Sequence, residues 1–390
     1  MGLLQNSVSI CQFRIADTPP EKDISHWVGK QLERSRFVPI EAGSDELSIG
    51  WVQLHDVDSG EFDGTDLYRY DHYLAFSLRR DQRKLPAPLV KAKRAQAEAD
   101  FLATNPGLNR VPKQKREEIH EAVRGALFAR SLPVPAIFDA VWDLEKGLVT
   151  FCNLGGKNVD LFIDEFKKTF PPLRLVPLHP FSRALEVVDA EIKPALEAAN
   201  QSSNDGVLEM MAANQWLGQD FLLWLTHATM FSSSDYSVSQ PGPAVTGEGF
   251  TAYLNDGFRL AAVNEEGVQK VTVSGPQDNF REVCTALQSG KAIQEAIIFF
   301  EKGEQLWKLK LKGETFNFAS FRSPGVQLEK DEMTDPDMER QALFLERMFL
   351  LETGLQLFHS LLATFLQQRL APGWPQQEQQ IRNQLEQRTS

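Results

Sequence analysis

The residues best placed to do chemistry are cations. Residues 78–130 hold thirteen Lys/Arg against six Asp/Glu, a net of +7 inside a chain of net −12, so the remainder carries −19. Arg79, Arg80, Arg83 and Lys84 open the stretch, and Lys91 and Arg94 follow. Lys113, Arg116, His120 and Arg124 then recur at i, i+3, i+7 and i+11, one stripe along a helix. A second run, Trp307-Lys308-Leu309-Lys310-Leu311-Lys312, alternates as a strand does, sending three lysines about 7 Å apart to one face. Gly290-Lys291 adds a cation nearby in sequence. Concentrated cations on an acidic body suit phosphate binding. Each run also has an ordinary reading, a solvated charged hairpin in one case and a half-exposed strand in the other.

Catalytic signals are weak by comparison. There is no GxxxxGK[ST] loop, and Gly155-Gly156-Lys157 lacks its preceding glycine. The seven histidines are scattered without HExxH or His/Cys metal spacing. A metal nuclease would need converging acids. Asp160, Asp164 and Glu165 on one helix, or Asp56, Asp58, Asp63 and Asp66 in one loop, are the groups that could supply them. No catalytic residue, metal or cofactor is expected.

The elements that position the cations follow from periodicity and breakers. Leu85-Pro86-Ala87-Pro88 restarts the chain as a helix, because proline presets φ and suits the first helical turn. Helices over 89–104 and 113–130, parted by Asn105-Pro106-Gly107 and Pro112, make a hairpin. Before it, strands at 7–15, 48–53 and 73–78 surround a helix at 20–34, with an acidic loop at 54–70. After it, strands at 136–142 and 148–153 form a hairpin about Asp143-Leu144-Glu145-Lys146-Gly147. A helix at 159–170 and a strand at 173–178 complete an α+β sheet domain.

The second half opens with a polar helix at 190–199 and a strongly apolar one at 207–231, whose Met and Trp residues read as core. An exposed Ser/Pro/Gly loop spans 232–249. Strands follow at 250–254, 258–263 and 268–273, then a helix at 279–289 and a hairpin of 293–300 with 305–312. A long helix at 338–369 ends the ordered part, and the Gln-rich tail after Pro372 is expected to fray.

The length allows a large core in two or three domains. The acidic balance excludes a polyanion binder acting over its whole surface and requires any such contact to be local. Cys11, Cys152 and Cys284 are far apart and odd in number, which reads as buried thiols of a cytosolic protein. No secretory or myristoylation signal and no membrane-length apolar run is visible, so a cytoplasmic location with no membrane partner is expected.

Ile49-Gly50-Trp51-Val52, Leu85-Pro86-Ala87-Pro88-Leu89-Val90-Lys91, Trp142-Asp143-Leu144-Glu145-Lys146-Gly147-Leu148 and Leu175-Val176-Pro177-Leu178 form an ordered set. In order and spacing they resemble the bacterial recombination-associated RdgC family across roughly residues 1–185. A weaker likeness continues through Ser289-Gly290-Lys291, the lysine strand and the last long helix. The surplus length falls around 207–249, and the family's basic pair falls near the uncharged Ser274-Gly275.

The resemblance implies a homodimeric ring that encircles duplex DNA without sequence preference, binds single strands as well, restrains the RecA recombinase and associates with the nucleoid. The helical hairpin corresponds to the family's finger, which meets its counterpart across the ring. The expected division is a central sheet domain (1–77 with 131–185), a hairpin finger (78–130) and a C-terminal α+β base that dimerises (186–390). On this reading Arg79, Arg80, Arg83, Lys84, Lys91, Arg94, Lys113, Arg116, Arg124, Lys291, Lys308, Lys310 and Lys312 face DNA, and Leu127, Phe128 and Leu132 serve finger packing or the dimer contact. Two rivals stay open: a metal-dependent exonuclease, and a non-catalytic scaffold whose finger docks an acidic protein.

Overall fold

In the computed structural model, which describes residues 2–41, 45–264, 267–327 and 335–387, helices surround one large sheet. The first half runs β1 (Ser7–Ile15), α1 (Ile24–Arg34), β2 (Leu47–Gln53), β3 (Arg69–Tyr70), β4 (Tyr73–Gln82), α2 (Ala87–Thr104), α3 (Lys113–Phe128), β5 (Val134–Asp143), β6 (Leu148–Phe151), α4 (Gly156–Thr169), β7 (Leu175–Pro177) and α5 (Pro180–Val187). The second runs α6 (Lys193–Ala198), α7 (Val207–Ala213), α8 (Trp216–Phe231), β8 (Asp235–Ser237), β9 (Gly249–Asn264), β10 (Gly267–Val273), α9 (Arg281–Gln288), β11 (Ala292–Lys302), β12 (Gln305–Lys312), β13 (Asn317–Arg322), α10 (Pro336–Arg369) and α11 (Trp374–Gln387). The fold is α+β, and its sheet is antiparallel in the order β10-β9-β11-β12-β13-β1-β6-β5-β4-β2.

β1 joins the halves of that sheet. Its first residues pair with β13, and its register shifts between Val8 and Ile10. From Cys11 onward it pairs with β6. A strand that changes partners along its length lets one sheet cover two cores. The first core is aromatic: Trp51 meets Phe76 edge-on at 5.1 Å, and its indole N–H donates to Thr169 Oγ1 at 2.7 Å. Truncating such a buried indole costs about 3–5 kcal/mol. Gly50 stands beside it because a Cβ there would lie 2.5 Å from the Phe37 backbone. The second core gathers α8, α10 and the inward faces of β9, β11, β12 and β13.

Most expected elements are present with shifted ends, and five differences have physical causes. β4 continues to Gln82, because β2 and β5 pair with it along its whole length, so Arg79 and Arg80 are sheet residues. The single helix expected over 207–231 breaks at Asn214, whose amide donates to Asn200 Oδ1 and Met210 O. The two strands expected at 250–254 and 258–263 are one, β9, which passes through Gly257 at φ +69° with register shifts against β11.

The loop at 232–249 is exposed along most of its length, as expected, but it contains β8 and is strapped to α10. Gln356 Nε2 donates to the carbonyls of Gln240 and Ala244, its Oε1 accepts from Ala244 N, and Val238 is buried. The tail expected to fray forms α11, which buries Trp374, Ile381 and Leu385. α5 and β13 carried no clear periodicity. α5 is short, and a positive φ at Ser320 interrupts the alternation of β13.

The three cysteines are buried and unbridged. Among the described residues α10 alone is long and apolar enough to cross a membrane, and most of that stretch is buried in the second core.

Candidate nucleic-acid interface

α2 and α3 pack against each other and bury almost nothing else. No residue of α2 is buried, and Ile119 alone is buried on α3. At the base of this pair, where β4 hands over to α2 and α3 returns, an open cleft of about 840 Å³ is lined by Arg83, Lys84, Lys91, Arg94, His120 and Arg124. The acids in its lining are Glu46 and Glu98. Arg94 Nε donates to Glu98 at 2.8 Å, and Arg124 Nη2 sits 3.3 Å from Glu46. Lys84 and Lys91 are exposed and make no ion pair among the described residues. Lys113 and Arg116 lie one end further along α3, exposed, and Arg116 donates to the Val111 carbonyl. The stripe read along α3 therefore divides, with His120 and Arg124 facing the cleft and the other two away from its lining.

Arg79 and Arg83 are held differently. Arg79 is 7% exposed; Nε and Nη2 donate to the two carboxylate oxygens of Asp81, and Nη1 donates to Asp58 and the Val57 carbonyl. The Asp81 hydrogen bonds, more than any other contact, raise its pKa. Arg83 is 4% exposed and donates to the carbonyls of Ile40, Glu41, Phe128 and Ser131, which ties the return of α3 to β4. Both guanidiniums are buried and hydrogen-bonded within the protein. Arg80 points to the opposite face of β4, half-buried, 3.4 Å from Asn158 Oδ1 and over the Phe138 ring.

The lysine strand alternates as expected. Trp307, Leu309 and Leu311 are fully buried, while Lys308, Lys310 and Lys312 stay half-exposed on the other face. Its neighbours change its character. Lys310 pairs with Glu295 at 2.8 Å and Lys308 with Asp256 at 3.5 Å, and the Lys308 ammonium lies 4.9 Å from the Phe299 ring. Arg259 shares Glu295 at 2.9 Å. Burial by itself would raise the Glu295 carboxyl, but the Lys310 hydrogen bond and the surrounding cations hold its pKa below the usual value. Arg322, exposed and directly opposite Lys308 on β13, joins the same face. Neither Arg259 nor Arg322 stood out in the sequence, since each is a single cation whose place is set by strand register. Lys291 bonds its own neighbour, Ser289 Oγ, at 2.9 Å.

The apolar candidates also separate. Leu127 and Phe128 are half-buried, and the Arg124 guanidinium lies 5.1 Å from the Phe128 ring. Leu132 is 79% exposed. The acids considered for a metal do not converge. Glu165 pairs with Lys168 and Asp58 with Arg79, and among the described residues no group of three or more His, Cys, Asp or Glu side chains could hold an ion.

The motifs that carried the resemblance sit at structural posts: Gly50 and Trp51 in the first core, Pro86 at the start of α2, and Asp143, whose Oδ1 accepts from the backbone of Glu145 and Lys146 to close the β5–β6 turn. No curated protein matches the chain. A family model described as "Putative exonuclease, RdgC" matches residues 11–188, a little under half of the chain and the part that includes α2, α3 and the cleft. Over residues 11–188, therefore, the chain is similar to that family.

Proposed function

We propose that this protein binds DNA through backbone phosphates, without sequence preference, and modulates homologous recombination. The observation that carries the reading is the cleft at the base of α2 and α3, where Lys84, Lys91, Arg94 and Arg124 converge against two acids. Cations gathered in one concavity of an acidic chain focus potential there, and release of condensed counterions supplies the affinity. Lys113 and Arg116 on α3, Arg80 on β4, Lys291 just before β11, and Lys308, Lys310 and Lys312 with Arg322 on the sheet face complete the proposed set. Arg79 and Arg83 leave it because they are buried and hydrogen-bonded within the protein.

The finer picture takes 78–130 as a finger on a central domain (1–77 with 131–185), with 186–390 as a dimerising base. Two copies close a ring around the duplex, with Leu127, Phe128 and Leu132 at the finger contact. The exposure of Leu132 and the scant burial of α2 and α3 support that use of the finger. Restraint of RecA and residence in the cytoplasm at the nucleoid belong to the same proposal.

The test is fluorescence anisotropy with a labelled random-sequence duplex, titrated over several salt concentrations with magnesium present. Salt-sensitive binding with the DNA left intact is the expected result. Absence of binding at low salt sinks the proposal in favour of a scaffold. Magnesium-dependent loss of the label, abolished by one acid-to-amide change, favours the exonuclease of the family description. Ring closure has its own readout, slower loss from closed circular than from linear duplex of the same length.

A further inference from the structure

Where the family-matched segment meets α10, a cavity of about 360 Å³ opens between β1, the β5–β6 turn, α5 and α10. That is the size of a small-molecule site. Three cations and three acids line it. Arg14 is taken by Glu186 at 2.5 Å, and Lys146 by Glu352 at 2.8 Å and Asp143 at 3.3 Å. The cation left over is Arg183, which has no carboxylate in contact among the described residues and is 1% exposed.

Its Nη2 donates to Gln12 Oε1 at 2.9 Å, its Nη1 lies 3.3 Å from His359 Nε2, and its Nε has no acceptor. A buried guanidinium with an unmet donor and no carboxylate in direct contact among the described residues is costly, and an anion in the cavity would meet both needs. His359 supplies no negative charge; burial, and then the charge of Arg183, push its pKa down to about 3, so it is a neutral neighbour.

We propose that this cavity binds a small organic carboxylate, its anionic end at Arg183 and its apolar body against Leu148, Val187, Met348 and Leu355. One unpaired guanidinium calls for one negative charge. A phosphate dianion would bring surplus charge toward Asp143, Glu186 and Glu352. The aliphatic walls need an apolar body as well as a charge.

The test is calorimetric titration of the full chain with hexanoate, hexan-1-ol and inorganic phosphate. Saturable 1:1 binding of hexanoate is expected, with hexanol and phosphate at least about tenfold weaker, as the loss of a charged hydrogen bond implies. Arg183→Gln should weaken hexanoate at least about tenfold. Leu148→Trp, which fills the cavity from β6, should abolish binding while the circular dichroism spectrum stays that of the parent. If Arg183→Gln fails to fold, Leu148→Trp and the hexanol comparison decide. No saturable hexanoate binding, hexanol binding as well as hexanoate, or undiminished binding to Leu148→Trp each overturns the proposal.

Discussion

The cleft beneath α2 and α3 and the lysine face of β12 carry similar numbers of cations, yet they offer a polyanion different things. In the cleft Lys84 and Lys91 are exposed without ion pairs among the described residues, and the acids that do pair, Glu46 and Glu98, occupy arginines that keep further donors. On the sheet Lys310 faces a carboxylate on the adjacent β11 and Lys308 one on β9, a strand further away, and Glu295 also holds Arg259. A phosphate arriving there has to displace these acids. Charge in a sequence therefore overstates what is available on a sheet and states it more nearly for a helix.

The largest expected effect concerns an arginine that belongs to neither surface. Arg79→Ala leaves Asp81, 1% exposed, without its partner, and should cost about 3–5 kcal/mol of stability by urea denaturation. The dependence of DNA affinity on salt should stay as in the parent. A flattened salt slope with unchanged stability would return Arg79 to the phosphate-facing set.

Next comes the cleft. Replacing Lys84, Lys91, Arg94 and Arg124 together by Gln should weaken duplex binding by about 10²- to 10³-fold near 0.1 M salt and reduce the log–log salt slope by about 3–4, at roughly 0.9 per phosphate. Parent-like anisotropy curves would break the comparison at its stronger side.

The sheet should respond less. Reversing Lys308, Lys310 and Lys312 to Glu should weaken all sequences alike, by about tenfold, with a slope change of about 1–2. A loss confined to one sequence would sink the nonspecific-phosphate reading, and a loss larger than that of the cleft variant would invert the comparison. The smallest effect sharpens it. Glu295→Gln frees Lys310 and Arg259, so duplex affinity should rise a few-fold, on the order of the 1 kcal/mol that a partly exposed ion pair is worth. A fall in affinity would show that Glu295 positions these cations instead of masking them.

Much of the fold was legible because local signals agreed with burial. Pro86 and Pro112 precede α2 and α3, and the alternation of 307–312 is the burial pattern of β12. Where sequence reading failed, the deciding contact was distant. Nothing in 232–249 announces Gln356, more than a hundred residues on, which fixes that loop. Nothing in the Gln-rich tail announces the surface on which Trp374 and Ile381 pack. In the same way the run Arg79–Arg83 reads as one basic patch, but strand alternation and burial give its members three different surroundings.

The sequence by itself determined the gathering of positive charge into 78–130, the helix pair that carries it and the outward lysines of one strand. Those depend on spacing along the chain, and i to i+4 partners such as Arg94 and Glu98 are visible in it. Only the tertiary structure decided which cations remain available and left Arg183 with no carboxylate in contact among the described residues. Cross-strand and interhelical neighbours come from distant segments, and the energy of a charge depends on those neighbours and on its access to water.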